Sequence, residues 1–287
     1  MTISVKAKLK AYLELFRPEL PFAAGICVIL GEFIALGKFP SFWPMFLGFT
    51  CGFFLSGTAL VMNDTFDLEV DRVNTPERAI PSGRVSLREA VILSILSTLL
   101  GLVAALAINL PALVLGILFW VIGFLYNWKF KQTGLPGNLM VSASVAVTFI
   151  LGGIAVGQPW NKIVWLFSLL AFLIDLGEEI AGDAMDMEGD RKRASKSIAI
   201  KMGRRFALRV SGIIFALVIL VSFVPYVFGW FGFGYLIMIT IMDLAVIYFT
   251  VRLLRSSTSE EGRFYMRRIY LLALFGMLAF LLGQLFA

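Results

Sequence analysis

What most limits the fold of this chain is a succession of long apolar runs that leaves little room for a water-facing surface. Stretches at approximately 20–36, 44–62, 87–108, 111–126, 138–156, 162–181, 206–228, 231–253 and 269–286 approach the length an α-helix needs to cross about 30 Å of hydrocarbon. Backbone N–H and C=O groups find no water there, so such runs form helices that satisfy their own hydrogen bonds. The expectation is an all-α integral membrane protein with about nine transmembrane helices around a central apolar cavity. It is read as a single polytopic domain over residues 1–287. A content of 59% hydrophobic and only 15% charged residues excludes an ordinary soluble domain. The first apolar run lacks a small-residue cleavage site and is followed by many others, so it reads as a span rather than a removable signal peptide.

The net charge of +6 acts through its distribution. With the N-terminus in the cytoplasm, segments 63–86, 127–137, 182–205 and 252–268 share its side. Every Lys and Arg except Lys38 and Lys162 then falls on that side, which strongly obeys the positive-inside rule. The charge is therefore a topology signal, and the bilayer rather than nucleic acid is the expected partner. Lys6, Lys8 and Lys10 on a mildly amphipathic pattern suggest an interfacial helix that ends at Arg17-Pro18. Long loops gather on the cytoplasmic side, where function is expected.

The chemistry is narrowed by what is missing. There is no histidine, which removes the usual general base, the commonest zinc ligand and every Ser-His-Asp scheme. Cys27 and Cys51 lie within apolar runs and read as small hydrophobes. Carboxylates, Lys, Arg, Tyr or the substrate must carry the reaction.

Two stretches supply those carboxylates. In helical projection Asn63, Asp67, Asp71 and Asp64 fall at about 0°, 40°, 80° and 100°, one face, while Glu69 points elsewhere. The spacing Asp64-xx-Asp67-xxx-Asp71-Arg72 recurs as Asp183-xx-Asp186-xxx-Asp190-Arg191, again after a long apolar run. Glu179, Asp183, Asp186 and Asp190 lie within about 60° of one another. Oxygen ligands converging from one face suit Mg²⁺, which takes one or two carboxylates and leaves positions for water and phosphate. A faint internal duplication, extending to Ala79–Arg84 and Ile198–Arg204, would set two acidic helices facing each other across one cavity. That arrangement suits a diphosphate held by Mg²⁺ beside an apolar lumen for a hydrocarbon tail, and so prenyl transfer with water excluded. Arg72, Lys129, Lys131 and Arg191 stand near the stripes as diphosphate-binding candidates.

The run from Asn63-Asp64 through Asp67, Asp71-Arg72 and Asn74 to Pro76-xx-Ala79-Ile80-Pro81-Ser82-Gly83 resembles the first signature of the UbiA-type intramembrane prenyltransferases. Asp183-xx-Asp186-xx-Gly189-Asp190 resembles the second, and Tyr126-Asn127, Phe130-Lys131 and Gly137-Asn138 the segment after the fourth helix. The resemblance implies that Asn63, Asp67, Asp71, Asp186 and Asp190 hold Mg²⁺ and diphosphate, with Asp64 and Asp183 in support. Tyr126 and Lys131 would line the diphosphate side. Within the family the chain looks most like the archaeal ether-lipid branch, in which a geranylgeranyl group joins the free hydroxyl of a glycerol-1-phosphate monoether. Where relatives often carry a basic residue near positions 178 and 182, this chain has Glu178 and Gly182.

Blander readings stand beside these. A lone acidic stripe at a helix end is most often a solvated face, and the twin spacing is what argues otherwise. Glu179 and Asp175 lie deeper on the same face, as ligand, proton relay or packing partner, while Glu32 and Asp243 lie in spans without a motif. The run Arg191-Lys192-Arg193-xx-Lys196 attracts either an acceptor phosphate or anionic lipid. An aromatic acceptor, as in quinone biosynthesis, is the alternative within the enzyme class. A cation-coupled transporter is the alternative outside it, and would place its acids near the bilayer midplane.

Overall fold

The computed structural model describes residues 4–192 and 195–285; Arg193 of the basic run and the last residue of the final expected span lie outside them. The described residues form helices and no strand. In chain order these are α1 (Val5–Phe16), α2 (Glu19–Leu36), α3 (Phe42–Phe66), α4 (Leu68–Asn74), α5 (Leu87–Ile108) and α6 (Leu110–Leu125). A π-helical turn, Tyr126–Phe130, leads to α7 (Leu135–Ala155), α8 (Lys162–Met185), α9 (Met187–Lys192), α10 (Ile198–Met202) and α11 (Arg204–Ser222). The chain ends with α12 (Val224–Val227), α13 (Phe233–Arg255) and α14 (Ser259–Leu285).

Among the described residues 8 helices are long and apolar enough to cross a membrane. They correspond to eight of the runs expected from the sequence. The remaining run is α8, whose 24 residues are of spanning length but carry Asp175, Glu178, Glu179 and Asp183 in the second half. The short run at 111–126 is lengthened by the π-helical turn, so that one span extends over Leu110–Phe130.

Helix ends follow from local chemistry. Ser86 and Glu89 form a reciprocal capping box at the start of α5, Glu89 Oε2 accepting the Ser86 N–H at 2.7 Å. Asn109 caps α6 by accepting the Ala112 N–H at 2.8 Å, with Pro111 where a helix needs no N–H donor. Asn161 does the same for α8, accepting from Ile163 and Val164.

The chain divides into two compact units. The first comprises residues 1–32, 40–128 and 147–159. Here α3 packs chiefly along α5 and α6 around Val28, Cys51, Leu55, Ala104, Ala105, Ala112, Leu151 and Ile154, so Cys51 serves as the small hydrophobe expected of it. Polar groups inside this apolar packing are paired: Trp120 Nε1 donates to Thr98 Oγ1 at 3.1 Å, and Thr98 Oγ1 lies 3.3 Å from Thr58 Oγ1, linking α6, α5 and α3. Helix α1 is amphipathic as expected. Ala11 and Leu15 are buried against Val61, Ala79, Ile80 and Val85, while Val5, Leu9 and Leu13 form an exposed apolar stripe. Lys8 fastens the helix by donating to Glu89 Oε2 at 2.7 Å and Arg84 O at 2.9 Å.

The second unit comprises residues 33–39, 129–146 and 160–287. Helix α8 lies so close to α11 that a Cβ on Gly177 would come 2.7 Å from the Phe215 ring, and Ser211 Oγ donates to Gly177 O at 2.7 Å. Helices α13 and α14 pair, and Phe167, Phe231, Tyr235 and Phe280 interlock edge to face. Each unit has its own apolar hollow. In the first it is lined by Leu55, Leu115, Phe119 and Leu151; in the second a pocket of about 300 Å³ is lined by Tyr235, Met238 and Leu282.

Candidate active site

Both acidic stretches sit where a long helix gives way to a short one. In the first unit α3 ends at Phe66, Asp67 stands between helices with φ −84° and ψ 1°, and α4 follows. In the second, α8 ends at Met185, Asp186 stands between helices with φ −105° and ψ 11°, and α9 follows. The joint falls at the same aspartate of each motif.

The sequence expectation of one continuous helix through each motif is therefore corrected, but only slightly. Asp67 N donates to Asn63 O at 3.0 Å and Asp71 N to Asp67 O at 2.8 Å. Asp186 N donates to Gly182 O and Asp190 N to Asp186 O, each at 3.0 Å. These i to i−4 bonds carry the helical register across the joint, so each motif keeps an approximately common face.

In the first unit two carboxylates of the stripe are buried and paired. Asp64 and Asp71 are each 4% exposed. Arg17 Nη2 donates to Asp64 Oδ1 at 2.5 Å. Arg78 Nη1 donates to Asp71 Oδ2 at 2.7 Å and lies 3.5 Å from Asp64 Oδ1, while Thr75 Oγ1 donates to Asp71 Oδ1 at 3.0 Å. A buried carboxylate without such partners would be strongly destabilising. Arg17 reaches this position from the end of α1 in a left-handed conformation, φ 48°, the one non-glycine residue of positive φ among the described residues. Asn63 Nδ2 donates to Asn127 Oδ1 at 3.0 Å, and Asn127 Nδ2 to Gly123 O at 2.9 Å, so the π-helical turn orients the asparagine of the stripe. Asp67 and Tyr126 are half-buried in the same unit.

Arg72 stands apart. It is exposed on α4 and pairs with Glu69, its Nη1 donating to Glu69 Oε1 at 2.7 Å, the residue the helical projection had turned away from the stripe.

In the second unit Asn138 Nδ2 donates to Asp183 Oδ2 at 2.9 Å, and Ser142 Oγ to Asp175 Oδ2 at 2.8 Å. One turn apart on α7, these two polar side chains serve the acids of α8. Arg263 Nη2, from α14, donates to Asp186 Oδ1 and to Met185 O. Asp186 is exposed and Asp190 half-buried; Arg191 is exposed on α9, and Lys131 is half-buried. Gly134, at φ +75°, lets the 129–134 segment close on Lys196, since a Cβ there would collide with the Lys196 carbonyl; Lys196 N donates to Gln132 O at 2.9 Å.

Within the spans, Asp243 accepts from Ser222 Oγ at 2.7 Å, and Glu32 is wholly buried with neither carboxylate oxygen hydrogen-bonded among the described residues. Neither belongs to a stripe. Among the described residues no three of His, Cys, Asp and Glu converge closely enough to cage a metal ion unaided.

Sequence reasoning found the carboxylates and missed their arginine partners. In the sequence Arg17 marks only a helix boundary and Arg263 counts only toward the positive-inside bias, while Arg78 sits inside the first signature without standing out. The signal for Arg78 was available, because a buried Asp71 demands a cation within reach. For Arg17 and Arg263 the partners are 47 and 77 residues away, and nothing local points to them.

The family model for the UbiA prenyltransferase family matches residues 24–283. The chain belongs to that family. It is 34% identical over 94% of its length to the digeranylgeranylglyceryl phosphate synthase of Thermococcus gammatolerans, covering 98% of that protein. A solved structure of digeranylgeranylglyceryl phosphate synthase is 33% identical and superposes with a TM-score of 0.86, covering 97% of this chain and 99% of the other. A UbiA homologue from Archaeoglobus fulgidus bound to DMAPP and Mg²⁺ shares the fold at 21% identity and a TM-score of 0.66, covering 96% and 98% of the two chains. Family membership and the apolar helices together make this an integral multi-pass membrane protein and a prenyltransferase.

Proposed function

We propose that this chain transfers a geranylgeranyl group from its diphosphate to the free hydroxyl of geranylgeranylglyceryl phosphate, with Mg²⁺ as cofactor. The observation that carries the reading is near-full-length similarity to digeranylgeranylglyceryl phosphate synthases, joined to the two matching helix–aspartate–helix joints. In the reaction the C1–O bond to diphosphate breaks, an ether C–O bond forms, pyrophosphate leaves and the hydroxyl proton is released.

Mg²⁺ bound at the stripes would neutralise charge growing on the departing diphosphate. The donors fit: Asn63, Asp67, Asp71, Asp186 and Asp190 supply only oxygen, and the chain has no histidine. Asp64 and Asp183 act in support, the first clasped by Arg17 and Arg78, the second by Asn138. Tyr126, Lys131 and Arg191 bind diphosphate oxygens, Lys and Arg by charge-assisted hydrogen bonds. Arg72, turned toward Glu69, is the weakest member of that group.

The N-terminus and the segments 63–86, 127–137 and 182–205 face the cytoplasm. The support is the bias that leaves only Lys38 and Lys162 on the other side. Helix α8 is counted as a ninth span, its acids lying toward the end that carries the active site.

The test is pyrophosphate release and lipid product from purified protein given Mg²⁺, geranylgeranyl diphosphate and, in separate reactions, geranylgeranylglyceryl phosphate or 4-hydroxybenzoate. Product with the glyceryl phosphate is expected, and EDTA abolishes it. Product only with the aromatic acid moves the activity to quinone-type prenylation; no product in either reaction, unaffected by EDTA, rejects the enzyme.

A further inference from the structure

The acceptor named above carries a phosphate, and the carbon bearing its free hydroxyl lies within two carbons of the one bearing that phosphate. When the hydroxyl reaches the reacting carbon of the donor, the acceptor phosphate is therefore held only a few ångströms from the donor diphosphate and needs its own cations. The second unit supplies two guanidiniums with donors to spare. Arg263 is tied to Asp186 Oδ1 and Met185 O through Nη2 alone, so the N–H groups on Nη1 and Nε have no protein acceptor among the described residues. One turn further along α14, Arg267 is exposed and makes no hydrogen bond or ion pair among the described residues.

Residues four apart share a helix face, and like charges there repel. Among the described residues the only ion pair that either arginine makes is that of Arg263 with Asp186. The neighbouring acid Glu261 is engaged with the Ser257 N–H and lies 3.9 Å from Arg252, and Arg268 stacks over Phe264 instead of joining the pair. A tethered, partly exposed guanidinium with its remaining donors open, beside a second guanidinium at helical spacing, suits an anion with several acceptor oxygens.

We propose that Arg263 and Arg267 bind the phosphate of the lipid acceptor, and so determine that the acceptor is a phosphate ester. The inference rests on the proposed function. Arg263 has a second duty, because its Nη2 positions Asp186; Arg267 has none, which makes Arg267 the cleaner probe.

The experiment uses the full chain in neutral detergent with Mg²⁺ and geranylgeranyl diphosphate, and compares geranylgeranylglyceryl phosphate with phosphate-free geranylgeranylglycerol. In Arg267→Gln and Arg263→Gln the KM for the phosphate-bearing acceptor rises about tenfold, the loss of one hydrogen bond to a charged group. The KM for geranylgeranyl diphosphate and the Mg²⁺ requirement of Arg267→Gln stay at wild-type values, and its preference for the phosphate-bearing acceptor falls by the same factor. Arg268→Gln leaves all of these unchanged. An equal rise for both acceptors, or a rise confined to the diphosphate, overturns the assignment. So does an effect seen only when anionic lipid vesicles are present, which would make the pair a bilayer headgroup site. Wild-type protein that does not use the phosphate-bearing acceptor overturns the functional reading and this one together.

Discussion

The two acidic motifs share a spacing and a backbone but are held in opposite ways. In the first unit the stripe is anchored inward: Asp64 and Asp71 are buried, and two arginines and a threonine occupy their oxygens. In the second unit Asp183, the counterpart of Asp64, is only half-buried and takes one amide from Asn138, while the joint residue Asp186 is exposed and takes a guanidinium from α14. The same oxygen spacing has thus been built once around a buried ion-pair cluster and once around an exposed joint aspartate. Removing one partner of a buried ion pair strands the other, whereas an exposed pair contributes little. The contrast separates what each motif does for catalysis from what it does for stability.

For catalysis the proposed function gives the two motifs equal weight, and here the largest effect is expected. Asp67→Ala and Asp186→Ala each lower Mg²⁺-dependent product formation by at least about a hundredfold, the scale for losing a group that stabilises developing charge. Both proteins remain folded in detergent by circular dichroism and gel filtration. Near-normal turnover in either variant would show that only one motif serves the reaction.

For stability they differ. Arg17→Met leaves Asp64 buried with only the longer contact to Arg78, and costs about 2 kcal/mol by SDS-titrated unfolding; this is less than the full penalty for a buried pair because Arg17 is itself partly exposed. Arg263→Met costs less than about 1 kcal/mol in the same measurement, since both partners are exposed. Equal losses would dissolve the distinction.

The asparagines sharpen it at smaller magnitude. Asn127 donates to two backbone carbonyls and accepts from Asn63, so Asn127→Leu unsettles three groups and costs about 1–2 kcal/mol. Asn138→Leu removes one amide from Asp183, which keeps access to water, and costs about 1 kcal/mol or less. Unfolding of the two variants side by side checks the order.

How much of this was legible beforehand follows the range of the forces. Nine apolar runs could be read because burial in hydrocarbon leaves a long, uniform trace, and among the described residues each is helical, the run at 206–228 being divided between α11 and α12. The carboxylates could be read because i, i+3 and i+7 spacing is local, and it survives the joints at Asp67 and Asp186 through two i to i−4 bonds in each. The joints themselves left no trace, since neither glycine nor proline marks them. Arg17 and Arg263 were invisible for a different reason. Their partners are set by how α1 packs on α3 and α14 on α8, which no local pattern encodes. Arg72, by contrast, was selected because it directly follows Asp71, although successive residues on a helix point about 100° apart.

That last case gives the smallest expected effect. Arg72 is 56% exposed and pairs with Glu69, 79% exposed, three residues earlier on α4. An exposed pair of this kind is worth well under about 1 kcal/mol, and Arg72→Ala changes unfolding by no more than about 0.5 kcal/mol. If the fork of Arg72 is committed to Glu69 during turnover, the KM for geranylgeranyl diphosphate moves by less than about twofold, within what loss of a solvated surface charge produces. A rise of tenfold or more would mean that Arg72 leaves Glu69 to clasp the diphosphate. The first motif would then have an adjustable outer face as well as a rigid inner one, and would resemble the second more closely than the packing of Asp64 and Asp71 suggests.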